Sequence, residues 1–260
     1  MEDQKPLILI TNDDTVHAKG LMVLVDAVRD FGDIVVMSSD VNGSGMSHAL
    51  TSAVPLRTRT VSEEEGLCIY SCNGTPVDCF DLGAGYFSPR RPSLVLSGIN
   101  NGSNASINVV YSGTMGAVIE ASMKGFDAIG FSLLNHDFDA DFSACVPIVR
   151  QIVADVLKNG LPQGTSLNVN IPDLPYEQIK GIRVCRQSQA FWADSHEKRT
   201  DPVGRPYWWL TGEFICDDRQ PGSDIHALDN GYVSIVPTHF DYTDYKNIES
   251  LQKRYDNRVS

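Results

Sequence analysis

Candidate metal-ligating residues of this sequence lie in three polar segments, each following a short apolar run. The segments are Asn12-Asp13-Asp14, Asn42-Gly43-Ser44-Gly45 and Gly98-Ile99-Asn100-Asn101. Carboxylate, hydroxyl and amide oxygens are ligands that suit Mg²⁺, Mn²⁺ or Ca²⁺ better than Zn²⁺. Two adjacent carboxylates also repel each other unless a cation lies near them. We therefore expect a site for a hard divalent cation, provided that the three segments meet in space.

A fourth polar segment, Ser112-Gly113-Thr114, precedes an apolar pattern typical of a helix. Small residues at a helix start leave backbone N–H groups free and hydroxyls add donors, so the segment predicts a phosphate site. A cation beside a helix start is a common combination for phosphoryl chemistry. Taken singly, each signal also fits a plainer structure, because Asp, Ser, Thr and Asn are frequent in caps and turns.

Alternating strands and helices would bring these segments together. Leu7–Ile10 and Ile34–Met37 are apolar runs typical of strands buried in a parallel sheet, and the apolar residues of 21–28 recur at helical spacing. This β-α-β order predicts a doubly wound sheet, in which the carboxyl ends of the strands share one ligand-binding edge. Further strands are predicted within 50–72 and at 94–96, 128–131 and 167–171, the last nearer an edge, and further helices at 75–82, 112–123 and 146–157.

Composition narrows the class of protein. The 260 residues suit one α/β domain, alone or with a small extension, and a net charge of −12 disfavours long nucleic acids as partners. None of the six cysteines has CxxC spacing, which favours free thiols in a reducing compartment. The polar start is unlike a signal peptide, and no apolar run is long enough for a membrane span. We therefore expect a cytoplasmic protein without membrane contacts.

The amino-acid composition changes after about residue 185, where Trp, Tyr, Pro and Gly become frequent. We expect a β-rich extension with a long hairpin around 205–216 that makes subunit contacts, although a flap on the same subunit fits the sequence equally well. The tail over 241–260 is expected to hold a helix that packs on a neighbouring subunit. His17 and His48 flank the polar segments and are expected to be solvated, with a supporting hydrogen-bond role as the alternative. The remaining histidines, at 136, 196, 226 and 239, form no pattern.

The polar segments resemble the motifs of the SurE family, the stationary-phase survival nucleotidases. The likeness runs from about residue 7 to 243, with the motifs in order and at plausible spacing. The matching segments are Ile10–Asp14, Ala18–Gly20, Ser44–Met46, Gly74–Cys79, Ser97–Asn100, Gly102 with Asn104, Tyr111–Thr114, Asn168–Pro172, Lys180–Val184 and Gly231–Pro237.

The resemblance implies a fold and an activity. The fold is a Rossmann-like, mostly parallel sheet with helices on both faces, a catalytic domain over 1–185, and an extension over 186–260, a hairpin and a tail, that builds homodimers or homotetramers. The activity is divalent-metal-dependent hydrolysis of nucleoside 5′- and 3′-monophosphates, with one Mg²⁺ or Mn²⁺ per subunit; some family members also cleave short polyphosphate. The implied metal ligands are Asp13, Asp14, Ser44 and Asn100. The implied phosphate-side residues are Asn104, Ser112, Gly113 and Thr114, and the implied catalytic residues are Asp13, Asp14, Asn104 and Ser112.

The sequence departs from the family pattern near these positions. Thr15 replaces the Gly that usually follows the acidic pair, which would matter if the turn needs a positive φ. Asn42 stands where a basic residue is usual, and Gly43, Asn101 and Ser103 also differ. These changes leave the ligands intact and bear on substrate preference and rate. In the implied mechanism a cation binds a phosphate oxygen and a water, and Asp13 takes a proton from that water.

Three alternatives stay open. Asp13-Asp14-Thr15-Val16 weakly resembles the nucleophile motif of haloacid-dehalogenase-like phosphatases, but the second Asp is one residue out of place. A dinucleotide-binding oxidoreductase is disfavoured because the loop after the first strand has no Gly-x-Gly-x-x-Gly fingerprint. A nucleotide-sensing or assembly module without turnover would not need the complete set of oxygen ligands.

Overall fold

The computed structural model of the chain describes residues 5–256, and a nine-stranded sheet forms its centre. In chain order the strands of the described residues are β1 Leu7–Thr11, β2 Asp33–Ser39, β3 Thr58–Glu64, β4 Leu67–Cys72, β5 Leu94–Asn101, β6 Ala128–Leu133, β7 Thr165–Ile171, β8 Ile182–Val184, β9 Phe191–Thr200, β10 Pro206–Ile215 and β11 Val233–His239. Two of these strands, β9 and β10, lie outside the nine-stranded sheet and form a separate hairpin. The α-helices are α1 Lys19–Val28, α2 Pro76–Leu82, α3 Asn108–Tyr111, α4 Gly113–Met123, α5 Cys145–Asn159, α6 Asp224–Asp229 and α7 Ile248–Tyr255.

The strands of the main sheet lie in the order β3-β4-β2-β1-β5-β6-β7-β11-β8. The six strands from β4 to β7 are parallel, whereas β3 and β11 each run antiparallel to the neighbour on their inner side. The order reverses at β1: the chain adds β2 and β4 on one side of it, and β5, β6 and β7 on the other. In such sheets ligands bind in the crevice at the carboxyl ends of the strands beside the reversal, here β1 and β5.

Helices cover the sheet on both faces, which explains why β1 is apolar throughout. Ile8 and Ile10 belong to a core with residues of α1 and α5, and Leu7 and Leu9 belong to a second core with residues of α2 and α4. Every residue of β1 is buried. A continuous apolar run is the signature of a parallel strand with both faces covered. The predicted α/β fold class, including the extra C-terminal hairpin, is thus confirmed.

Two strands differ from the prediction. β5 was expected to end at Leu96, but it continues to Asn101, with a register irregularity against β6 between Ser97 and Asn100. β7 was expected nearer an edge, yet β11 and β8 lie beyond it. The polar residues of β7 that suggested exposure, Asn168 and Asn170, are buried because they hydrogen-bond within the protein.

The C-terminal part contains the predicted hairpin, which is longer than expected. β9 and β10 pair from Phe191↔Ile215 to Thr200↔Pro206 as a separate two-stranded sheet. The chain then returns to the main sheet through β11, and α7 lies exposed within the predicted helical tail. No helix in the described part of the chain is long and apolar enough to cross a membrane.

Candidate active site

The two adjacent carboxylates lie at the carboxyl end of β1. Asp13 is 3% exposed, and its Oδ1 accepts a hydrogen bond from the Thr114 hydroxyl at 2.6 Å. Burial raises the pKa of Asp13, while the Thr114 hydrogen bond opposes the shift. Burial and the neighbouring charge of Asp13 raise the pKa of Asp14 to about 6. The protein alone therefore leaves this pair of negative charges poorly compensated.

The N-terminus of α4 lies against this pair. Ser112 is the N-cap, and its Oγ accepts a hydrogen bond from the Met115 backbone N–H at 3.0 Å. Gly113 allows the close approach, because a Cβ there would lie 2.9 Å from Asp13 Cβ and 3.2 Å from Pro76 Cγ. The start of a helix thus faces the carboxylates, and its positive end favours negative charge.

The loop after β2 brings Ser44 to the same place. The Gly43 backbone N–H donates to the Asp13 carbonyl oxygen at 2.7 Å, and the Ser47 N–H donates to the Tyr111 carbonyl oxygen at 3.1 Å. The loop is therefore tied both to the end of β1 and to the residue before the α4 N-cap. Ser44 is exposed between these two attachments.

The end of β5 supplies an amide. Asn100 is 9% exposed, and its Nδ2 donates to the Gly102 carbonyl oxygen at 2.9 Å. That hydrogen bond occupies the donor end of the side chain, so Oδ1 is the end left to act as a ligand. The Asn101 backbone N–H lies 3.5 Å from Asp14 Oδ2, which joins the ends of β1 and β5.

The donor set fits a hard cation. Within 5–256 no group of three or more His, Cys, Asp or Glu side chains could hold a metal ion. Two carboxylates supplemented by a hydroxyl and an amide are instead the type of oxygen ligands that Mg²⁺ or Mn²⁺ accepts.

Most of the predicted site residues line one cavity of about 690 Å³. Its lining includes five of them, namely Asp13, Ser44, Asn100, Asn104 and Ser112. Asp14, Gly113 and Thr114 are not in the lining. Thr114 is fully buried, and its hydroxyl donates a hydrogen bond to Asp13 Oδ1. The Thr114 hydroxyl is thus engaged with a carboxylate, and contact of Thr114 with phosphate stays a prediction.

Asn104 is fixed by a network that the sequence did not reveal. Its backbone N–H donates to Asn170 Oδ1 at 2.8 Å, its Nδ2 donates to Ser132 Oγ at 2.9 Å, and its carbonyl oxygen accepts from Asn168 Nδ2 at 2.8 Å. Asn170 in turn donates to Asn168 Oδ1 at 2.9 Å. The only sequence signal was the motif that spans Asn168 to Pro172.

The cavity also includes residues that the sequence did not single out. His136, which had formed no pattern, lies in the lining, as do residues of the hairpin at Trp192, Asp194 and 210–212. His17 is exposed, whereas His48 lies 2.7 Å from Glu120 of α4, so neither His17 nor His48 lines the cavity.

Thr15 does adopt a positive φ, of 154°. Its carbonyl oxygen accepts hydrogen bonds from Asn12 Nδ2 at 2.9 Å and from the Ala18 N–H at 3.1 Å, which close the turn after the acidic pair. A β-branched residue is unfavourable at such a φ, so this departure from the family pattern has a structural cost.

The molecule is an α/β protein with a doubly wound sheet and a cavity at the point where the strand order reverses. Residues 8–194 match the family model described as Survival protein SurE, and the chain belongs to the SurE family. Two of the relatives that are named 5′-nucleotidase SurE illustrate the similarity. The protein of Flavobacterium johnsoniae is 47% identical, covering 96% of this chain and 97% of its own. That of Phocaeicola vulgatus is 48% identical, covering 97% and 98%.

A solved structure shows the same fold. The crystal structure of the SurE protein from Aquifex aeolicus superposes with a TM-score of 0.81 at 37% identity, covering 96% of this chain and 99% of its own.

Proposed function

We propose that this chain is a 5′-nucleotidase, a divalent-metal-dependent phosphomonoesterase that hydrolyses nucleoside monophosphates to nucleoside and phosphate. The observation that carries the proposal is the buried Asp13 carboxylate, held between the end of β1 and the N-terminus of α4 in a single cavity. The names of the relatives at 47% and 48% identity support the same activity. Activity on 3′-monophosphates is part of the proposal.

The cation in this proposal is held by Asp13, Asp14, Ser44 and Asn100, one Mg²⁺ or Mn²⁺ per subunit. Bound there, it would supply positive charge for phosphate oxygens and lower the pKa of water. Asp13 is the carboxylate assigned to take a proton from the attacking water, because the Thr114 hydroxyl fixes the orientation of its carboxyl group.

The phosphate side is formed by Asn104, Ser112 and the first N–H groups of α4, which include that of Gly113. These groups are uncharged donors held in place before substrate arrives, Asn104 by its amide network and Ser112 by the helix cap. Donors that need no rearrangement stabilise the charge that builds up on phosphoryl oxygens during the transfer. Thr114 acts through Asp13.

The proposal also covers partners and location. The division into a catalytic part over 1–185 and an extension over 186–260 assigns subunit contacts to the hairpin and tail, as a homodimer or homotetramer. Exposed aromatic residues of these two elements, such as Trp209 and Tyr242, support that assignment. Six free thiols and a charge of −12 support a reducing compartment and small substrates rather than long nucleic acids.

The test is phosphate release from AMP and GMP by the purified protein in EDTA, in Mg²⁺ and in Mn²⁺. We expect release only with a divalent ion, and loss of at least about 100-fold in Asp14→Asn, which removes one of two charged ligands. Binding of nucleotide without release under all three conditions would instead identify a nucleotide-sensing module. Undiminished release in EDTA, or a phosphoenzyme trapped by acid quench, would contradict the metal-dependent mechanism.

A further inference from the structure

One face of the β9–β10 hairpin forms a wall of the cavity. Residues directly opposite each other in an antiparallel pair share a face, and the register pairs Trp192 with Phe214, Asp194 with Gly212, and His196 with Leu210. Of these, Trp192, Asp194, Gly212 and Leu210 line the cavity, together with Thr211 of the opposite face; Trp209, also on the opposite face, is not in the lining. The inner face of the hairpin therefore reaches the ligand site within one subunit.

Trp192 is held in place on two sides. Its indole Nε1 donates a hydrogen bond to Asn108 Oδ1 at 2.8 Å, and its ring packs edge-to-face against Phe214 with centroids 5.5 Å apart. The side chain is still 39% exposed, and the exposure includes the cavity. An aromatic ring that is fixed before binding loses little conformational freedom when a flat ligand stacks on it.

The lining of the cavity has two chemically different parts. Asp13, Asn104 and Ser112 supply the cation and phosphate groups, whereas the hairpin supplies an indole, a leucine and the carboxylate of Asp194. Gly212 lies opposite Asp194 and has no side chain to cover it. Since a carboxylate repels a phosphate dianion, a nucleotide is favoured only with its phosphate away from the hairpin and its nucleoside towards it.

From this arrangement we propose that the inner face of the hairpin is the nucleoside-binding wall, on which the nucleobase stacks against Trp192. The inference rests on the proposed function and names the residue that makes the site prefer nucleotides over other phosphomonoesters. Base–aromatic stacking tolerates every base, so the wall selects for the presence of a base rather than for its identity.

The kinetic test compares AMP with ribose 5-phosphate, which carries the same phosphoribosyl group without a base. In Trp192→Ala we expect the ratio of kcat/KM for AMP to that for ribose 5-phosphate to fall about tenfold or more, chiefly through KM for AMP. Trp192→Phe keeps an aromatic face and should lose less than about threefold. Trp209→Phe, on the opposite face, is the matched control and should leave the ratio unchanged.

A second measurement does not depend on the fold of a Trp192 variant. The chain has three tryptophans, so the double variant Trp208→Phe/Trp209→Phe leaves Trp192 as the only indole. Adenosine, which cannot be hydrolysed, should quench its fluorescence saturably in Mn²⁺, and ribose at the same concentrations should not.

An unchanged AMP to ribose 5-phosphate ratio in folded Trp192→Ala would overturn the proposal, as would the absence of any adenosine quench. Neither result would affect the proposed phosphatase, which stands on phosphate release by the unaltered chain. If the unaltered chain hydrolysed neither compound yet adenosine quenched Trp192, the nucleoside wall would stand and the proposed function would fail.

Discussion

Replacing Asp14 by Asn should stabilise the metal-free protein at neutral pH while removing its response to metal. Asp13 and Asp14 are adjacent carboxylates at the end of β1, and the first is almost fully buried. Without a cation, the two charges are held close together in a poorly solvated place. Asn keeps the shape and the acceptor oxygen of Asp14 and removes its charge.

The magnitude follows from the pKa of Asp14, which burial and the charge of Asp13 raise from 3.8 to about 6. A shift of about two units corresponds to about 3 kcal/mol, and the partial exposure of Asp14 reduces the expected effect to about 1–2 kcal/mol. Because the folded-state pKa lies above the unfolded-state value, the folded protein binds the proton more tightly. The charged form therefore costs stability above pH 6, and the cost disappears as the pH falls towards 4.

The assay is thermal unfolding in EDTA and in Mn²⁺, at pH 7.5 and at pH 5. In EDTA at pH 7.5, Asp14→Asn should melt a few degrees above the unaltered protein, at roughly 2–4 °C per kcal/mol, and the difference should shrink at pH 5. Mn²⁺ should raise the melting temperature of the unaltered protein at pH 7.5, and should raise that of Asp14→Asn much less.

Asp26→Asn is the control, because Asp26 is exposed on α1, away from the site. Its effect on the free energy of unfolding should stay within about 0.5 kcal/mol in all four conditions. If Asp14→Asn in EDTA were less stable than the unaltered protein at pH 7.5, the reasoning about uncompensated charge would be refuted. An undiminished Mn²⁺ response would refute the assignment of Asp14 as a ligand.

Three further substitutions test the residues that pack against or hydrogen-bond to Asp13 and the turn that follows the acidic pair. Gly113→Ala places a Cβ 2.9 Å from Asp13 Cβ. The clash should move the start of α4 and lower kcat for AMP about 100-fold. Gly85→Ala is the control, because a Cβ at that position has no atom within 4 Å. Thr114→Val removes the hydroxyl that donates to Asp13 Oδ1 and should lower kcat about tenfold or more, whereas Thr114→Ser should stay near the unaltered value in the same assay. Thr15→Gly relieves a φ of 154° and should raise the unfolding free energy by up to about 1 kcal/mol, measured by urea denaturation.

For each substitution, one result would contradict the prediction. Equal kcat in Gly113→Ala and Gly85→Ala would mean that the approach of α4 to Asp13 is not tight. If Thr114→Val hydrolysed AMP as fast as Thr114→Ser, the hydrogen bond from the Thr114 hydroxyl to Asp13 would not contribute to turnover. Destabilisation by Thr15→Gly would show that the turn is not strained at this residue.

The sequence predicted the elements whose signal is local. The apolar runs at 7–10 and 34–37 and the helical spacing between them give the observed β1, α1 and β2, because strands with both faces covered need no polar alternation. The helices predicted at 75–82 and 112–123 likewise correspond to the observed α2 and α4, which have Thr75 and Ser112 as their N-caps.

Features that depend on contacts between distant residues were not predictable. Ser97 to Asn101 looked like a loop because its residues are small and polar, yet its backbone continues to pair with β6. The buried amides of β7 resembled an exposed face, because their partner Asn104 lies more than sixty residues earlier in the chain. The contribution of the hairpin to the cavity depends on tertiary packing in the same way, as does the pairing of Thr114 with Asp13.

Anomalous diffraction from a crystal grown with Mn²⁺ tests the cation site most directly. We predict one strong peak per subunit at the manganese edge, with oxygen atoms of Asp13, Asp14 and Asn100 at about 2.1–2.3 Å and Ser44 close by. A peak bound elsewhere, or no peak at a concentration that supports phosphate release, would contradict the assignment of these four residues as metal ligands.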